Sequence, residues 1–218
     1  MRDRAPAVRR AAGIGILATL GCLTWRHAST YRDVFTLYRA TLAKNPACWM
    51  AHNNLAIALV DAGRSVEALP HYEQALRHRP NYAEAENNVG YALTQLGRAA
   101  EALPHLDRAL SLKPHYADAH NNRGAALMAL GRIAEGIAAF AEATRLNPKF
   151  ALAHLNHGRA LAASGRIADA IPPLRTAVEL QPGYAEAHFY LAVAFKQTGR
   201  DAEAERHMDQ AVKLGYRR

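Results

Sequence analysis

Apolar residues recur along the chain with the spacing of one face of an α-helix. The first clear stripe follows the i, i+4, i+7, i+8, i+11 pattern of a 3.6-residue period and consists of Ala51, Leu55, Ala58, Leu59 and Ala62. The helix is predicted to end at Gly63, because glycine adopts the left-handed C′ conformation at least cost. A second stripe predicts another helix from about Val66 to His78, and Pro80 then ends it, because the residue before a proline is restricted to extended conformations.

This helix pair recurs with a period of 34 residues. Proline marks the end of each pair, at Pro46, Pro80, Pro114, Pro148 and Pro182. A Gly-Arg pair marks the turn between the two helices and begins at Gly63, Gly97, Gly131, Gly165 and Gly199. Five units fill residues 49–82, 83–116, 117–150, 151–184 and 185–218, and residues 31–48 correspond to the second helix of a preceding half repeat. Since one helix pair cannot cover its own apolar face, neighbouring units must stack.

Residues 49–218 resemble the tetratricopeptide repeat (TPR) in period, small residues and turn positions. The resemblance implies an all-α fold, a TPR α-solenoid in which helix-turn-helix units form a right-handed superhelix, and a role as a protein-interaction scaffold. Prolines inside the second helices, at Pro70, Pro104 and the pair Pro172-Pro173, each remove a backbone hydrogen bond. We expect local kinks there without a break in the fold.

Asparagine is a poor helix former, because its amide competes for backbone hydrogen bonds, yet it recurs inside the first helix of each pair. On a helical wheel Asn53 lies nearly opposite the apolar stripe, and Asn54 lies about 80° to one side of it. Both side chains are therefore expected to point away from the core of the helix pair. In TPR solenoids, by resemblance, that face of each first helix lines the concave groove.

Two files of side chains are predicted along this groove. One file consists of Asn54, Asn88, Asn122 and Asn156, followed by Tyr190. The other consists of Asn53, Asn87 and Asn121, followed by Leu155 and Phe189. A similar asparagine ladder lines the repeats of O-GlcNAc transferase, where it holds extended peptide by its backbone, and the donors and acceptor of an amide suit peptide N–H and C=O groups. The predicted peptide-binding groove also includes Tyr91 and Arg159. The alternative is that the asparagines tie neighbouring helices together or are tolerated on a solvated face.

The positive charge of the chain is concentrated near its N-terminus. Of the formal net charge of +8, residues 1–48 contribute +6 (eight Lys/Arg against two Asp) and residues 49–218 contribute +2 (19 Lys/Arg against 17 Asp/Glu). The repeats therefore carry a mixed-charge surface without a basic block, and we expect no nucleic-acid partner.

The basic N-terminus flanks an uncharged apolar run, residues 11–25, AAGIGILATLGCLTW. We favour an uncleaved membrane-anchoring helix within residues 1–30, with Trp25 at the interface and the arginines on the retained side. A cleaved signal peptide and a soluble packing helix are the alternatives, and the residues before Cys22 match a lipoprotein signal poorly. Anchoring predicts a membrane partner and extracytoplasmic repeats, at a bacterial inner membrane facing the periplasm.

The junction TWRHASTYRDVFTLYRATLAKNPACWMAHNNLA, residues 24–56, resembles the passage from the last transmembrane helix to the first repeat in transmembrane-and-TPR glycosyltransferase-like membrane proteins. This resemblance implies an alternative function, the accessory TPR tail of an O-mannosyl or O-GlcNAc transferase-like enzyme that presents acceptor protein. A periplasmic assembly factor for an envelope or secretion complex is a further alternative.

Catalytic and metal sites are not predicted. His120, His154 and His188 share one repeat position, but equivalent positions on stacked helices are roughly 10 Å apart, too far to share a zinc ion with bonds of about 2 Å. No nucleophile elbow or phosphate-binding glycine loop is present. We therefore expect a non-enzyme without a cofactor or metal.

Overall fold

The computed structural model describes residues 33–216, and these residues form eleven α-helices and no strand. In chain order the helices are α1 (Val34–Lys44), α2 (Trp49–Asp61), α3 (Ser65–His78), α4 (Ala83–Gln95), α5 (Ala99–Leu112), α6 (Ala117–Ala129), α7 (Ile133–Leu146), α8 (Ala151–Ala163), α9 (Ile167–Leu180), α10 (Ala185–Gln197) and α11 (Asp201–Lys213). We call α2, α4, α6, α8 and α10 the first helices and α3, α5, α7, α9 and α11 the second helices.

The described helices group into two units, one that ends at His78 and one that begins at Arg79. In the first unit, α2 packs against both α1 and α3. In the second unit, each first helix packs on its own second helix, and each second helix packs on the next first helix. The first helices of this unit also contact one another in order, α4 with α6, α6 with α8 and α8 with α10. They therefore form one continuous layer.

Glycine ends the first helices as predicted. Gly63, Gly97, Gly131, Gly165 and Gly199 all have φ between +73° and +82°. At the first of these turns the N–H of Gly63 donates to the carbonyl of Val60, and the N–H of Arg64 donates to that of Leu59. These two bonds form a Schellman motif, which satisfies carbonyls that the helix end leaves open.

The core of each helix pair depends on small residues that let the two helices approach closely. A Cβ on Gly158 would lie 2.4 Å from Cγ of Leu174, and one on Gly90 would lie 2.4 Å from Cγ of Leu106. Both leucines are fully buried. The helices with internal prolines, α3, α5 and α9, are each continuous, so the prolines do not break the fold.

The predicted N-terminal hydrophobic helix lies outside the described residues. Within residues 33–216, none of the helices has the length and apolar character needed to cross a membrane.

Candidate functional site

The asparagines of the second unit form hydrogen bonds between consecutive repeats. The layer of first helices places side chains 34 or 35 residues apart side by side. The amide of Asn122 on α6 donates to Oδ1 of Asn87 on α4 across 2.9 Å. In the next repeat the amide of Asn156 on α8 donates to Oδ1 of Asn121 on α6, also across 2.9 Å. These two hydrogen bonds between helices connect the two predicted files of asparagines.

Hydrogen bonds within each Asn-Asn pair connect these bonds between helices. Asn87 donates to Oδ1 of Asn88 across 3.3 Å, and Asn121 donates to Oδ1 of Asn122 across 3.4 Å. Five amides therefore form one hydrogen-bonded series, in which Asn156 donates to Asn121, Asn121 to Asn122, Asn122 to Asn87 and Asn87 to Asn88. We call this series the amide chain. In the first unit, Asn53 donates to Oδ1 of Asn54 across 3.2 Å.

The first asparagine of each Asn-Asn pair is buried. The exposed fractions of Asn53, Asn87 and Asn121 are 3%, 5% and 3%. The helical wheel considers one helix pair, but in the second unit the next first helix covers the face opposite the apolar stripe. The second asparagines, Asn54, Asn88, Asn122 and Asn156, are half-buried. Peptide binding by these residues stays a prediction.

The amide chain ends at the fourth repeat. Leu155 takes the place of the first asparagine and is fully buried. Within the described residues, Oδ1 of Asn156 accepts no hydrogen bond, since the leucine before it has no donor. In the fifth repeat Phe189 stacks on Tyr216 with ring centroids 4.4 Å apart and makes an edge contact with Tyr190. The Phe189 ring is thus packed against the end of the described chain.

A cavity of about 440 Å³ opens beside the end of the amide chain. Residues of α6, α7, α8, α9 and α10 line it, and most are apolar or small: Ala125, Met128, Phe140, Asn156, Arg159, Ala160, Ala162, Ala163, Ile167, Tyr190, Val193, Ala194 and Gln197. The structure thus brings together three of the predicted site residues, Asn156, Arg159 and Tyr190. The apolar lining, which begins in the third repeat with Ala125 and Met128, was not predicted.

Arg159 is fixed at the rim of this cavity. Its guanidinium lies 4.9 Å from the centroid of the Tyr190 ring, a cation–π arrangement, and Nη1 lies 3.0 Å from Oε1 of Glu186. The positive charge is therefore paired at the site. The remaining predicted residue, Tyr91 on α4, is 40% exposed and does not line the cavity.

A separate apolar cleft of about 570 Å³ lies in the first unit. Val34, Phe35 and Tyr38 of α1 form one wall, and the other is formed by residues of α2, namely Asn54, Ile57, Ala58, Asp61 and Ala62. Asn54 is the one predicted site residue in this cleft.

The histidines form pairs within repeats. Nδ1 of His188 lies 2.9 Å from Nδ1 of His207, and Nδ1 of His52 lies 3.1 Å from Nδ1 of His71. Because Nε2 of His188 lies 3.1 Å from the carbonyl of Pro182, which only accepts, this nitrogen carries the proton. Nδ1 of His188 must then accept from the Nδ1–H of His207. In the second repeat the equivalent contact joins His105 to Glu86 across 2.7 Å.

Burial lowers the pKa of His207, and the neighbouring His188 lowers it further. The pKa of His71 is lowered in the same way, by burial first and then by His52 and Arg39. Among residues 33–216 no group of three or more His, Cys, Asp or Glu side chains is arranged to hold a metal ion.

Comparison with known families and structures identifies the class of protein. Residues 36–83, 121–185 and 155–215 match a family model described as tetratricopeptide repeat, and residues 90–131 match a second, described as TPR repeat. These matches cover well over half of the sequence, so the chain belongs to the tetratricopeptide-repeat family. The fold is accordingly an all-helical TPR solenoid. No curated protein matched the sequence, and the resemblance to glycosyltransferase-like membrane proteins stays a prediction.

Three solved structures illustrate the similar fold. YrrB, whose structure is described as a TPR protein with an unusual peptide-binding site, is 21% identical, with a TM-score of 0.61 over 82% of this chain and 92% of its own. MamA from Desulfovibrio magneticus RS-1 is 23% identical, with a TM-score of 0.64 over 84% and 95%. PilF from Pseudomonas aeruginosa is 19% identical, with a TM-score of 0.73 over 78% of each chain. At these identities the likeness concerns the fold.

Proposed function

We propose that the chain is a non-catalytic protein-interaction scaffold that binds an extended polypeptide along its layer of first helices. TPR family membership supports the general role, since such proteins are generally interaction scaffolds, and a peptide-binding site is described for YrrB. The observation that carries the finer proposal is the amide chain, which follows three consecutive first helices and ends beside an apolar cavity.

The amide chain retains hydrogen-bonding capacity for a ligand. An asparagine amide offers two N–H donors and two acceptor lone pairs. Asn122 donates one N–H to Asn87 and accepts one bond from Asn121, which leaves one donor and one acceptor. Asn156 donates one N–H to Asn121 and retains its carbonyl. The internal bonds fix the orientation of both half-buried amides, so little conformational entropy is lost when a peptide binds.

The ligand in this proposal is an extended polypeptide that is recognised through its backbone. Each peptide unit has an N–H donor and a C=O acceptor, which complement the acceptor and donor of an asparagine amide. Recognition through the backbone tolerates different side chains. Specificity then comes from the residues beside the amide chain, such as Tyr91 and the cavity.

A display selection with random twelve-residue peptides against the full chain tests this proposal. Selected peptides are synthesised with a photo-crosslinking residue, and the crosslinked sites are mapped by mass spectrometry. We expect crosslinks on the first helices, near Asn88, Asn122 and Asn156. Failure to enrich any peptide over an unrelated helical repeat protein, or crosslinks confined to the second helices, would rule the proposal out.

The location of the protein is a second part of the proposal. The anchored, extracytoplasmic placement rests on the apolar run of residues 11–25 and the arginines before it. Fractionation of the native host, with intact-mass measurement of the membrane-bound form, tests it. Recovery of the protein in the soluble cytoplasmic fraction contradicts anchoring but leaves the peptide-binding proposal intact.

A further inference from the structure

The cavity at the end of the amide chain has a mainly apolar lining that includes the side chain of Asn156. Its walls are formed by side chains such as Met128, Phe140 and Val193, and its volume of about 440 Å³ falls in the usual range of ligand pockets, about 300–1,000 Å³. The amide of Asn156 donates to Asn121, and its Oδ1 accepts no hydrogen bond from the described residues. A carbonyl beside an apolar pocket favours a ligand with an N–H next to an apolar group.

Two residues of the fourth and fifth repeats distinguish this end of the amide chain from the third repeat. In the third repeat Asn121 donates to Oδ1 of Asn122 across 3.4 Å. Leu155 occupies the position equivalent to Asn121 and has no donor, so the equivalent oxygen, on Asn156, is left open. Tyr190 then replaces the next asparagine and adds an aromatic wall to the cavity. The change to Leu155 therefore leaves the acceptor open, and the change to Tyr190 contributes one wall of the pocket.

Charge at the rim of the cavity is balanced. Arg159 is the one Lys, Arg, Asp or Glu among the lining residues, and it pairs with Glu186 across 3.0 Å. The rim therefore gives no net attraction for a charged side chain. Burying a charge in the apolar lining without a partner is costly, so the electrostatics match an uncharged occupant.

We infer that this cavity is the anchor site of the proposed polypeptide ligand and takes one large aliphatic or aromatic side chain. The backbone N–H of that anchor residue donates to Oδ1 of Asn156. The inference rests on the proposed function and adds the class of residue that the scaffold selects. The amide chain sets the register of the backbone, and the cavity selects the side chain at its end.

Filling the cavity from its open side tests the inference. Ala163 is the last residue of α8, is exposed and lines the cavity, so Ala163→Trp fills the space with little disturbance of the core. Ala129 is the last residue of α6, holds the equivalent position one repeat earlier and lies outside the lining. Ala129→Trp is therefore the matched control, and circular dichroism establishes that both variants are folded.

The affinity of a display-selected peptide is then measured by calorimetry. We expect Ala163→Trp to weaken binding by at least about tenfold and Ala129→Trp by less than about twofold. Equal binding by wild type and Ala163→Trp, or equal losses in both variants, overturns the inference.

Two peptide changes test the same contacts without altering the protein. Photo-leucine at the anchor position should crosslink to cavity residues such as Val193, and serine there should reduce affinity by about tenfold. N-methylation of the anchor nitrogen removes the donor to Asn156 and should weaken binding more than N-methylation of a neighbouring residue.

The outcomes separate the two proposals. If no peptide is enriched, the proposed function and the anchor site both fail. If peptides bind and crosslink along the first helices but tolerate serine at every apolar position, the scaffold function stands and the anchor site is rejected.

Discussion

The side-chain amide of Asn122 donates to the side-chain carbonyl of Asn87 across 2.9 Å, although the two residues belong to different repeats. Oδ1 of Asn87 belongs to a side chain that is almost completely buried. The bond therefore stabilises the stacking of α6 on α4 while it orients an amide at the layer of first helices. The structural role of these asparagines and their proposed binding role thus involve the same amide groups.

The hydrogen bond predicts that Asn122 and Asn87 are coupled in their contributions to folding stability. Asn122→Ala removes the donor to a buried carbonyl and should lower the free energy of unfolding by about 1–3 kcal/mol. If the bond is responsible, Asn87→Ala and the double variant should show a coupling energy of about 1 kcal/mol in a double-mutant cycle measured by urea unfolding. Additive losses would indicate that Asn122 contributes through packing alone.

The histidine pairs predict a loss of stability in mild acid. Because the folded-state pKa values of His207 and His71 are lowered, the unfolded chain binds more protons as the pH falls below about 6.5. Stability should therefore decline between pH 7.5 and 5.5, and the decline should stop once the pH is below the folded-state pKa values.

The double variant His71→Ala/His207→Ala tests the source of this decline. Alanine is compatible with this position, since Ala139 holds it opposite His120 in the third repeat. The change in Tm between pH 7.5 and 5.5 should be smaller in this double variant than in the wild type. In the control His115→Ala, which replaces an exposed histidine, the change in Tm should equal that of the wild type. The same change in Tm in all three proteins contradicts the assignment to the pairs.

Close helix approach predicts opposite effects of two glycine substitutions. Gly158→Ala brings Cβ to 2.4 Å from Cγ of the buried Leu174, and the strain should cost about 1–3 kcal/mol. Gly183→Ala introduces a Cβ with no atom within 4 Å and should be neutral or stabilise by up to about 1 kcal/mol, because alanine has fewer conformations in the unfolded chain. Thermal unfolding of both variants measures the difference, and a stable Gly158→Ala protein would mean that Leu174 moves aside freely.

The stacked rings of Phe189 and Tyr216 predict that the last residues of the described chain stabilise α10. Tyr216→Ala should lower the free energy of unfolding by about 0.5–1.5 kcal/mol beyond the loss of buried area. Val212→Ala is the control, because Val212 is on the same final segment but 62% exposed. Equal, small effects of the two substitutions on urea unfolding would show that the stack contributes nothing.

The sequence by itself determined the helix pairs, their period of 34 residues and the turns between them. These features depend on contacts within about one repeat. Leu55 and Leu59 of the apolar stripe are buried, and Gly63 adopts φ of +73° because the chain turns there. The same local information predicted that the asparagines point away from the core of their helix pair.

Only the tertiary structure determines what the asparagine-bearing face of each first helix contacts. In the second unit, burial of Asn87 and Asn121, the bonds from Asn122 and Asn156, and the cavity beside Tyr190 all depend on how closely consecutive first helices approach and how they are rotated. Side chains 34 residues apart are brought together by stacking, which a wheel for one helix does not contain. For the same reason, replacement of an asparagine by Leu155 is a single change in the sequence, but in the fold it ends the amide chain and leaves the carbonyl open on Asn156, which lines an apolar cavity.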